Sequence, residues 1–250
     1  MWKRSALFLL LSCLASGQNT NSPLWQRYFA ASREARDAEP QKIYRNLIAI
    51  VASEPGLIWK KAPNGEPMVK VVTWVDYTSA SDPPLYNIGP LTADPVYNDS
   101  TLIWVTADPE LKTFCTNFAA EPRRTPLVLR IQQVLGLPPV DVARSTFTEF
   151  WVRPRDLIRP TPDPEISDHE AELDFPVSDE IVKIDDAYKA WFLEHKATVY
   201  TRPIPGTWTR LGYTFDWAKP ERPIGQSEFI IRPGAQIDVE SITPTEEYCH

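Results

Sequence analysis

Acidic residues at every second position between 168 and 174 form the stretch of this chain best suited to bind a metal ion. In an extended strand every second side chain points to the same face, so these carboxylates would lie within reach of one another. Ca²⁺ prefers carboxylate oxygens and would relieve their mutual repulsion. The residues between them are mostly apolar, which equally fits a strand whose acidic face is solvated and holds no metal. The candidate ligands are Asp168, Glu170, Glu172 and Asp174.

Tryptophan and tyrosine form the second candidate group, because exposed aromatic rings beside carboxylates are suited to bind sugar rings. The chain has 9 Trp residues, and the segment from Tyr213 to Trp217 places Asp216 between aromatic neighbours. Since two carboxylates can hydrolyse a glycosidic bond, Asp216 and Glu228 are candidate catalytic acids. The alternative is that the rings fill the core of the protein. The tryptophans considered are Trp59, Trp74, Trp104, Trp151, Trp191, Trp208 and Trp217.

Short segments in three parts of the chain share features with a known enzyme family. They are Gln226-Ser227-Glu228 with the strand-like residues after it, Ile43-Tyr44-Arg45, and Tyr77-Thr78-Ser79-Ala80-Ser81. Together they resemble the Gln-x-Glu or Glu-x-Glu element, the early arginine and the Ser-Thr-Ser strand of the mono-ADP-ribosyltransferases. This resemblance implies that Arg45 and Ser79 would hold NAD and that Glu228 would stabilise the cationic ribosyl transition state. An ordinary β-hairpin carries short motifs of the same kind.

The N-terminal residues have the order typical of a secretory signal peptide. The basic pair Lys3-Arg4 precedes an apolar run from Ala6 to Leu11, and small residues follow up to Gly17. This apolar run is far shorter than the ~20 residues that a permanent membrane-spanning helix needs. We therefore predict a signal peptide over residues 1–17, a single domain over residues 18–250, and a secreted or periplasmic location.

Cysteine usage fits an oxidising compartment outside the cytoplasm. One of the 3 cysteines, Cys13, lies in the predicted leader, which leaves an even number in the mature chain. This predicts a disulfide between Cys115 and Cys249, with a pair of free thiols as the alternative. The segment Leu10-Leu11-Ser12-Cys13 also resembles the lipobox of bacterial lipoproteins. In that case a lipidated Cys13 would anchor the mature protein to a membrane.

Charge and composition exclude some classes of partner. A net charge of −7 repels phosphate backbones, so we expect no sequence-independent binding of nucleic acid. No later segment reaches membrane-spanning length, so we expect no transmembrane helix in the mature chain. The excess of Pro (25) over Gly (9) predicts stiff, extended connections between elements.

Hydrophobic periodicity predicts helices and strands that come in groups instead of alternating one by one. Grouped elements favour an α+β fold with a largely antiparallel sheet, flanking helices and proline-rich connections. The predicted helices cover 22–38, 40–55, a segment that begins at Asp108, 125–136 and 178–195. The predicted strands cover 69–75, 101–106, 146–152, 168–175, 207–216, 227–232 and 235–242.

No motif in the sequence identifies a reaction. It lacks His-Glu-x-x-His, Gly-x-Ser-x-Gly and paired Cys-x-x-Cys, and the glycine patterns of nucleotide-binding loops are missing, so no cofactor is indicated. We therefore expect an exported, soluble, non-catalytic binding or structural protein of the cell envelope or extracellular space. The alternative is a secreted enzyme, either a carboxylate-based glycan hydrolase or an ADP-ribosyltransferase-like protein. The ligand and any envelope partner are not identified by the sequence.

Overall fold

An antiparallel β-sheet lies at the centre of this protein, as the sequence predicts. The structure, a computed structural model, describes residues 19–76, 96–97, 102–121, 125–141, 145–177 and 184–250. Its strands are β1 (Trp59–Lys61), β2 (Pro67–Asp76), β3 (Val96–Tyr97), β4 (Ile103–Ala107), β5 (Ser145–Val152), β6 (Leu157–Ile158), β7 (Tyr213–Phe215), β8 (Ile224–Ser227), β9 (Phe229–Ile231) and β10 (Gln236–Pro244). The main sheet has the order β3-β10-β5-β2-β4-β9-β6, with β1 paired to β2, while β7 pairs with β8 separately.

Helices flank the sheet, which confirms the predicted α+β class. They are α1 (Pro23–Ala35), α2 (Asp108–Ala120), α3 (Leu127–Val134), α4 (Asp186–Thr198) and α5 (Thr245–Tyr248). The Ser22 hydroxyl accepts a hydrogen bond from the Trp25 N–H (3.4 Å), and the Asp185 carboxylate accepts one from the Ala187 N–H (2.8 Å). These side chains satisfy N–H groups that the first turn of each helix leaves unpaired, so α1 and α4 begin where their capping residues stand.

The sheet buries both of its faces. Because successive side chains of a strand point to opposite sides, the neighbours Val71 and Val72 belong to different cores. The core that contains Val71 packs against the irregular segment around Ile50. Two groups of helices pack on the other face. Helices α2 and α3 pack over Val72, and α4 packs over Ile230. A cavity lies between these two groups of helices.

The predicted helix over 40–55 is wrong. Only a short 3₁₀ turn forms, at Pro40–Lys42, and the chain then runs irregularly along the sheet. Its backbone bonds to distant segments, since the Leu47 N–H donates to the carbonyl of His169 (2.9 Å) and the Ile50 N–H to that of Ile166 (2.6 Å). Tertiary hydrogen bonds therefore replace the helical ladder, while Leu47 and Ile50 still bury their side chains.

The predicted strand over 168–175 is also wrong. This segment has no regular structure, and its burial alternates only in part. Ala171 is buried and Glu172 and Asp174 are exposed, but His169 is exposed as well. Its carbonyls are used by irregular neighbours, because that of His169 accepts from Leu47 and that of Asp168 accepts from the Arg159 guanidinium (2.8 Å). A strand needs a continuous backbone partner, which this surface segment does not have within the described chain.

Some boundaries also differ from the prediction. The expected strand over 207–216 is reduced to β7, because Gly212 and Arg210 adopt positive φ angles and make a turn just before it. The expected helix over 178–195 corresponds to α4, which runs further, to Thr198. Residues 178–183 lie outside the described residues.

A disulfide joins Cys115 in α2 to Cys249, which follows α5, with the two Cα atoms 5.0 Å apart. Both cysteines are fully buried, and the bond ties the end of the chain to its middle. A structural disulfide is compatible with an extracellular location. Within the described ranges no helix is both long and apolar enough to span a bilayer. The predicted leader and Cys13 lie outside the described residues.

Candidate functional site

A cavity of about 270 Å³ lies on the helix-covered face of the sheet. Strands β4 and β9 pair through Val105 and Phe229, so Thr106 and Glu228 come opposite each other one residue further along. Both line the cavity, with the end of α3 on one side and His195 of α4 on the other. The site is therefore assembled by tertiary packing from segments that are far apart in the sequence.

Glu228 is the single carboxylate among the described residues that line this cavity. Its Oε2 atom is buried and has no hydrogen-bond partner within the described part of the chain. Its backbone N–H donates to the carbonyl of Gly212 (2.9 Å), which fixes the position of the residue. Burial raises the pKa of the Glu228 carboxyl to about 8. At neutral pH the group is therefore an uncharged acid that can donate a hydrogen bond.

Aromatic rings form one wall of the cavity. Trp104 and Trp208 meet edge to face with their centroids 6.2 Å apart, and the His195 ring packs 4.8 Å from Trp208. Burial, with a smaller contribution from Arg202, lowers the pKa of His195 to about 4. The imidazole is therefore neutral at physiological pH. A ligand would meet uncharged ring faces on this side.

Polar groups besides Glu228 also lack partners at the cavity. Neither the Thr106 hydroxyl nor the Trp208 indole N–H has a hydrogen-bond partner among the described residues, and both residues line the cavity. Buried polar groups in proteins are nearly always hydrogen-bonded. A neutral acid, a hydroxyl and an indole N–H together suit a ligand that carries oxygen acceptors.

The other wall depends on a glycine just after α3. Gly136 has a φ of 66°, a left-handed conformation that favours glycine at the end of a helix. The Thr207 hydroxyl donates to the carbonyl of Gly136 (2.6 Å), and a Cβ atom at this position would overlap that hydroxyl. Gly136 therefore lets the segment around Thr207 approach α3 closely, and both residues line the cavity.

The second candidate catalytic acid, Asp216, does not line this cavity. Its carboxylate accepts hydrogen bonds from both terminal nitrogens of Arg130, at 2.8 and 2.5 Å, and the pair is almost completely buried. Asp216 also accepts from the Ala218 N–H (3.1 Å). These bonds fasten α3 to the β7–β8 hairpin, so the structure does not bring Asp216 and Glu228 together as a catalytic pair.

The candidate calcium ligands do not form a metal site in the described part of the chain. Glu170 forms an ion pair with Arg45, and Asp168 lies 3.5 Å from the fully buried Arg159. Glu172 and Asp174 are exposed. Over the described ranges no group of three or more His, Cys, Asp or Glu side chains is placed to hold a metal ion.

The residues that resemble a transferase motif do not meet either. Arg45 has 70% of its side chain exposed and does not line the cavity of Glu228. Ser79 lies outside the described residues. The described chain therefore does not bring Arg45 to Glu228, as shared binding of NAD would require.

Sequence reasoning missed part of the site. It named Trp104, Trp208 and Glu228, but not Thr106, whose role depends on which residue the neighbouring strand places opposite it. It also missed Glu110, which does not line the cavity but accepts hydrogen bonds from the N–H (2.8 Å) and hydroxyl (3.3 Å) of Ser227, the residue before Glu228. Burial raises the pKa of Glu110 to about 7. Its position near the start of α2 gave no signal of this long-range contact.

No family model, curated protein or solved structure matches this chain. Any functional assignment therefore rests on the chemistry of the cavity.

Proposed function

We propose that this chain is an exported, non-catalytic binding protein that holds one small ring-shaped ligand, such as a single sugar ring, in the Glu228 cavity. The observation that carries the proposal is the uncharged carboxyl of Glu228, whose Oε2 is buried without a partner among the described residues, beside Trp104 and Trp208. Ligand sites typically combine apolar and aromatic walls with a small number of polar groups that fix the ligand's orientation.

The lining of the cavity favours a particular ligand chemistry. Glu228 in its acid form, the Trp208 indole and the Thr106 hydroxyl can all donate hydrogen bonds, so the ligand should present oxygen acceptors to them. The rings of Trp104 and His195 favour a flat ligand with an apolar face. A volume of about 270 Å³ is at the small end of ligand sites, which suits one ring and not a chain of several.

The carboxylate arrangement supports binding over hydrolysis. Glycoside hydrolysis ordinarily uses two carboxyl groups on either side of the scissile bond. Of the described cavity-lining residues only Glu228 supplies one, and the carboxylate of Asp216 is held by Arg130. A lone neutral acid can orient a ligand, but it has no second carboxylate to act as nucleophile or base.

The leader-like N-terminus and the buried disulfide support export. Signal-peptide removal would leave Cys115 and Cys249 as the cysteines of the mature chain, and oxidising compartments stabilise such pairs. Intact-mass analysis of protein from its native host tests this directly. We expect a mass that lacks residues 1–17 and is lower by ~2 Da for the disulfide; an intact N-terminus with two free thiols would contradict export.

Ligand binding is tested by thermal unfolding and calorimetric titration of the mature, disulfide-bonded protein with glucose, galactose, mannose and N-acetylglucosamine. A sugar at a concentration 100 times its Kd should raise Tm by roughly 5–10 °C for a domain of this size. The variant Glu228→Ala should abolish that shift, because it removes the acid at the cavity floor.

The matched control is Glu246→Ala, which removes an exposed glutamate of α5 outside the cavity. It should bind the same sugar with unchanged affinity. A sugar that bound the wild type and Glu228→Ala equally well would place its site elsewhere. No binding of any of the four sugars would contradict the proposed ligand class.

A further inference from the structure

A second cavity, of about 310 Å³, lies beside the first and has a different chemistry. Its lining includes the guanidinium-bearing residues Arg33, Arg36 and Arg202, together with the rings of Phe29 and Tyr200. We call it the arginine pocket. Arg202 also lines the Glu228 cavity, so the two cavities are neighbours.

One side of the arginine pocket is formed by helix α1. Phe29 and Arg33 are four residues apart, as are Ser32 and Arg36, and this helical spacing places all four on one side of α1 and its C-cap. The Ser32 hydroxyl donates to the carbonyl of Gly206 (2.7 Å), and thereby fixes this face against the segment that carries Tyr200 and Arg202. The backbones of Arg33 and Arg36 are therefore held by α1 and its C-cap, whereas Arg202 follows a short 3₁₀ turn in the segment that Ser32 contacts.

The charge of the pocket is opposite to that of the whole chain. No carboxylate is among the described residues that line it, although the net charge of the protein is −7. The acidic neighbours in sequence, Glu34 and Asp37, line a different groove. Arg33 and Arg36 form no ion pair with any carboxylate in the described ranges. Positive charge is thus concentrated on one small concave surface.

A fourth arginine, Arg210, does not line the pocket but contacts two residues that do. Arg210 has a φ of 61° and is the sole non-glycine residue with positive φ in the described chain. Turn positions of this kind usually hold Gly, Asn or Asp, because a longer side chain strains the backbone. Here the Arg210 guanidinium donates to the carbonyl of Arg36 and lies 5.9 Å from the ring of Tyr200. It therefore covers a helix C-terminal carbonyl, which would repel an anion, and adds positive charge.

We propose that the arginine pocket binds an anionic tetrahedral oxyanion group, a phosphate or a sulfate. Arginine presents a planar fork of N–H donors that matches the paired oxygens of these groups, and weakly hydrated guanidinium groups bind them well. The absence of lysine and carboxylate from the described lining favours such an anion over a cation or a neutral ligand. This proposal does not depend on what the Glu228 cavity binds.

Calorimetric titration of the mature protein with inorganic phosphate and with inorganic sulfate tests the proposal, with sodium chloride used to match ionic strength. Both Arg33→Gln and Arg36→Gln should weaken binding, and the double variant should weaken it by about tenfold or more. The matched control is Arg27→Gln, an exposed arginine of the same helix outside the pocket, which should change affinity by less than about twofold.

Comparison of the binding of the two anions between pH 6 and pH 8 distinguishes a phosphate ligand from a sulfate ligand. Sulfate keeps its charge over this range, whereas inorganic phosphate gains charge because it loses its second proton between these pH values. Phosphate binding that strengthens with pH indicates a phosphate group, and pH-independent binding of sulfate alone indicates a sulfate ester. The proposal is overturned if neither anion binds saturably, if acetate binds as tightly as sulfate, or if Arg27→Gln loses as much affinity as Arg33→Gln and Arg36→Gln.

Discussion

The variant Glu228→Gln should have a higher free energy of unfolding than the wild type, and this difference should grow as the pH rises from 4.5 to 7. Burial raises the pKa of Glu228 from 4.5 to about 8, so the folded state keeps a proton that the unfolded state releases. For a carboxyl whose folded pKa is raised, the stability present below pH 4.5 is lost as the pH rises through the folded pKa. Glutamine fills nearly the same space but has no group that ionises in this pH range.

The size of this effect follows from the linkage between proton binding and folding. Each pH unit between the unfolded and folded pKa values of Glu228 lowers this residue's contribution to the free energy of unfolding by about 1.4 kcal/mol. The stability of Glu228→Gln relative to wild type should therefore grow by about 3 kcal/mol between pH 4.5 and pH 7. It should level off above pH 8, where both states of the wild type have lost the proton.

Urea unfolding of both proteins at intervals from pH 4 to pH 9, with the disulfide intact, measures this difference. The exposed Glu246→Gln is the control, and its stability relative to wild type should vary little with pH. A difference between Glu228→Gln and wild type that stays constant across this range would refute the reasoning. It would mean that Glu228 ionises normally and that the cavity floor is well solvated.

Other substitutions test the structural framework. Arg130→Met should cost about 3–5 kcal/mol in urea unfolding, because it leaves the buried carboxylate of Asp216 without its ion-pair partner. The double variant Cys115→Ser/Cys249→Ser should lose about 2–5 kcal/mol by the same measurement, since its unfolded chain is no longer cross-linked. Gly136→Ala should lower Tm by several degrees in calorimetry, because φ is 66° and the new Cβ would overlap Thr207; an unchanged Tm would contradict the account of this wall.

Elements with strong local signals could be predicted from the sequence. Asp108-Pro109 marks the start of α2, and the β-branched and aromatic run before Val152 becomes β5. Local signals failed where the backbone finds distant partners. The apolar spacing around Leu47 resembles a helix, but long-range hydrogen bonds to the segment after Ile166 hold this part of the chain in an irregular conformation.

The candidate site was predictable only in part, for a physical reason. The aromatic content of the chain points to Trp104 and Trp208. The segment Gln226-Ser227-Glu228 points to Glu228 as a candidate acid. Whether a carboxyl is buried alone or paired depends on tertiary contacts that no sequence spacing encodes. Asp216 and Glu228 look alike in sequence. The charge of Asp216 is paired with that of Arg130, whereas Glu228 Oε2 has no hydrogen-bond partner within the described chain.

The most direct test of the central claim is the ionisation of Glu228 itself. Side-chain carboxyl ¹³C chemical shifts of the labelled mature protein, assigned by comparison with Glu228→Gln, report the pKa of this group. We predict a titration midpoint near 8, raised further when a bound sugar accepts a hydrogen bond from the acid form. A midpoint near the ordinary value of 4.5, unchanged by every sugar tested, would contradict the account of this cavity as a binding site.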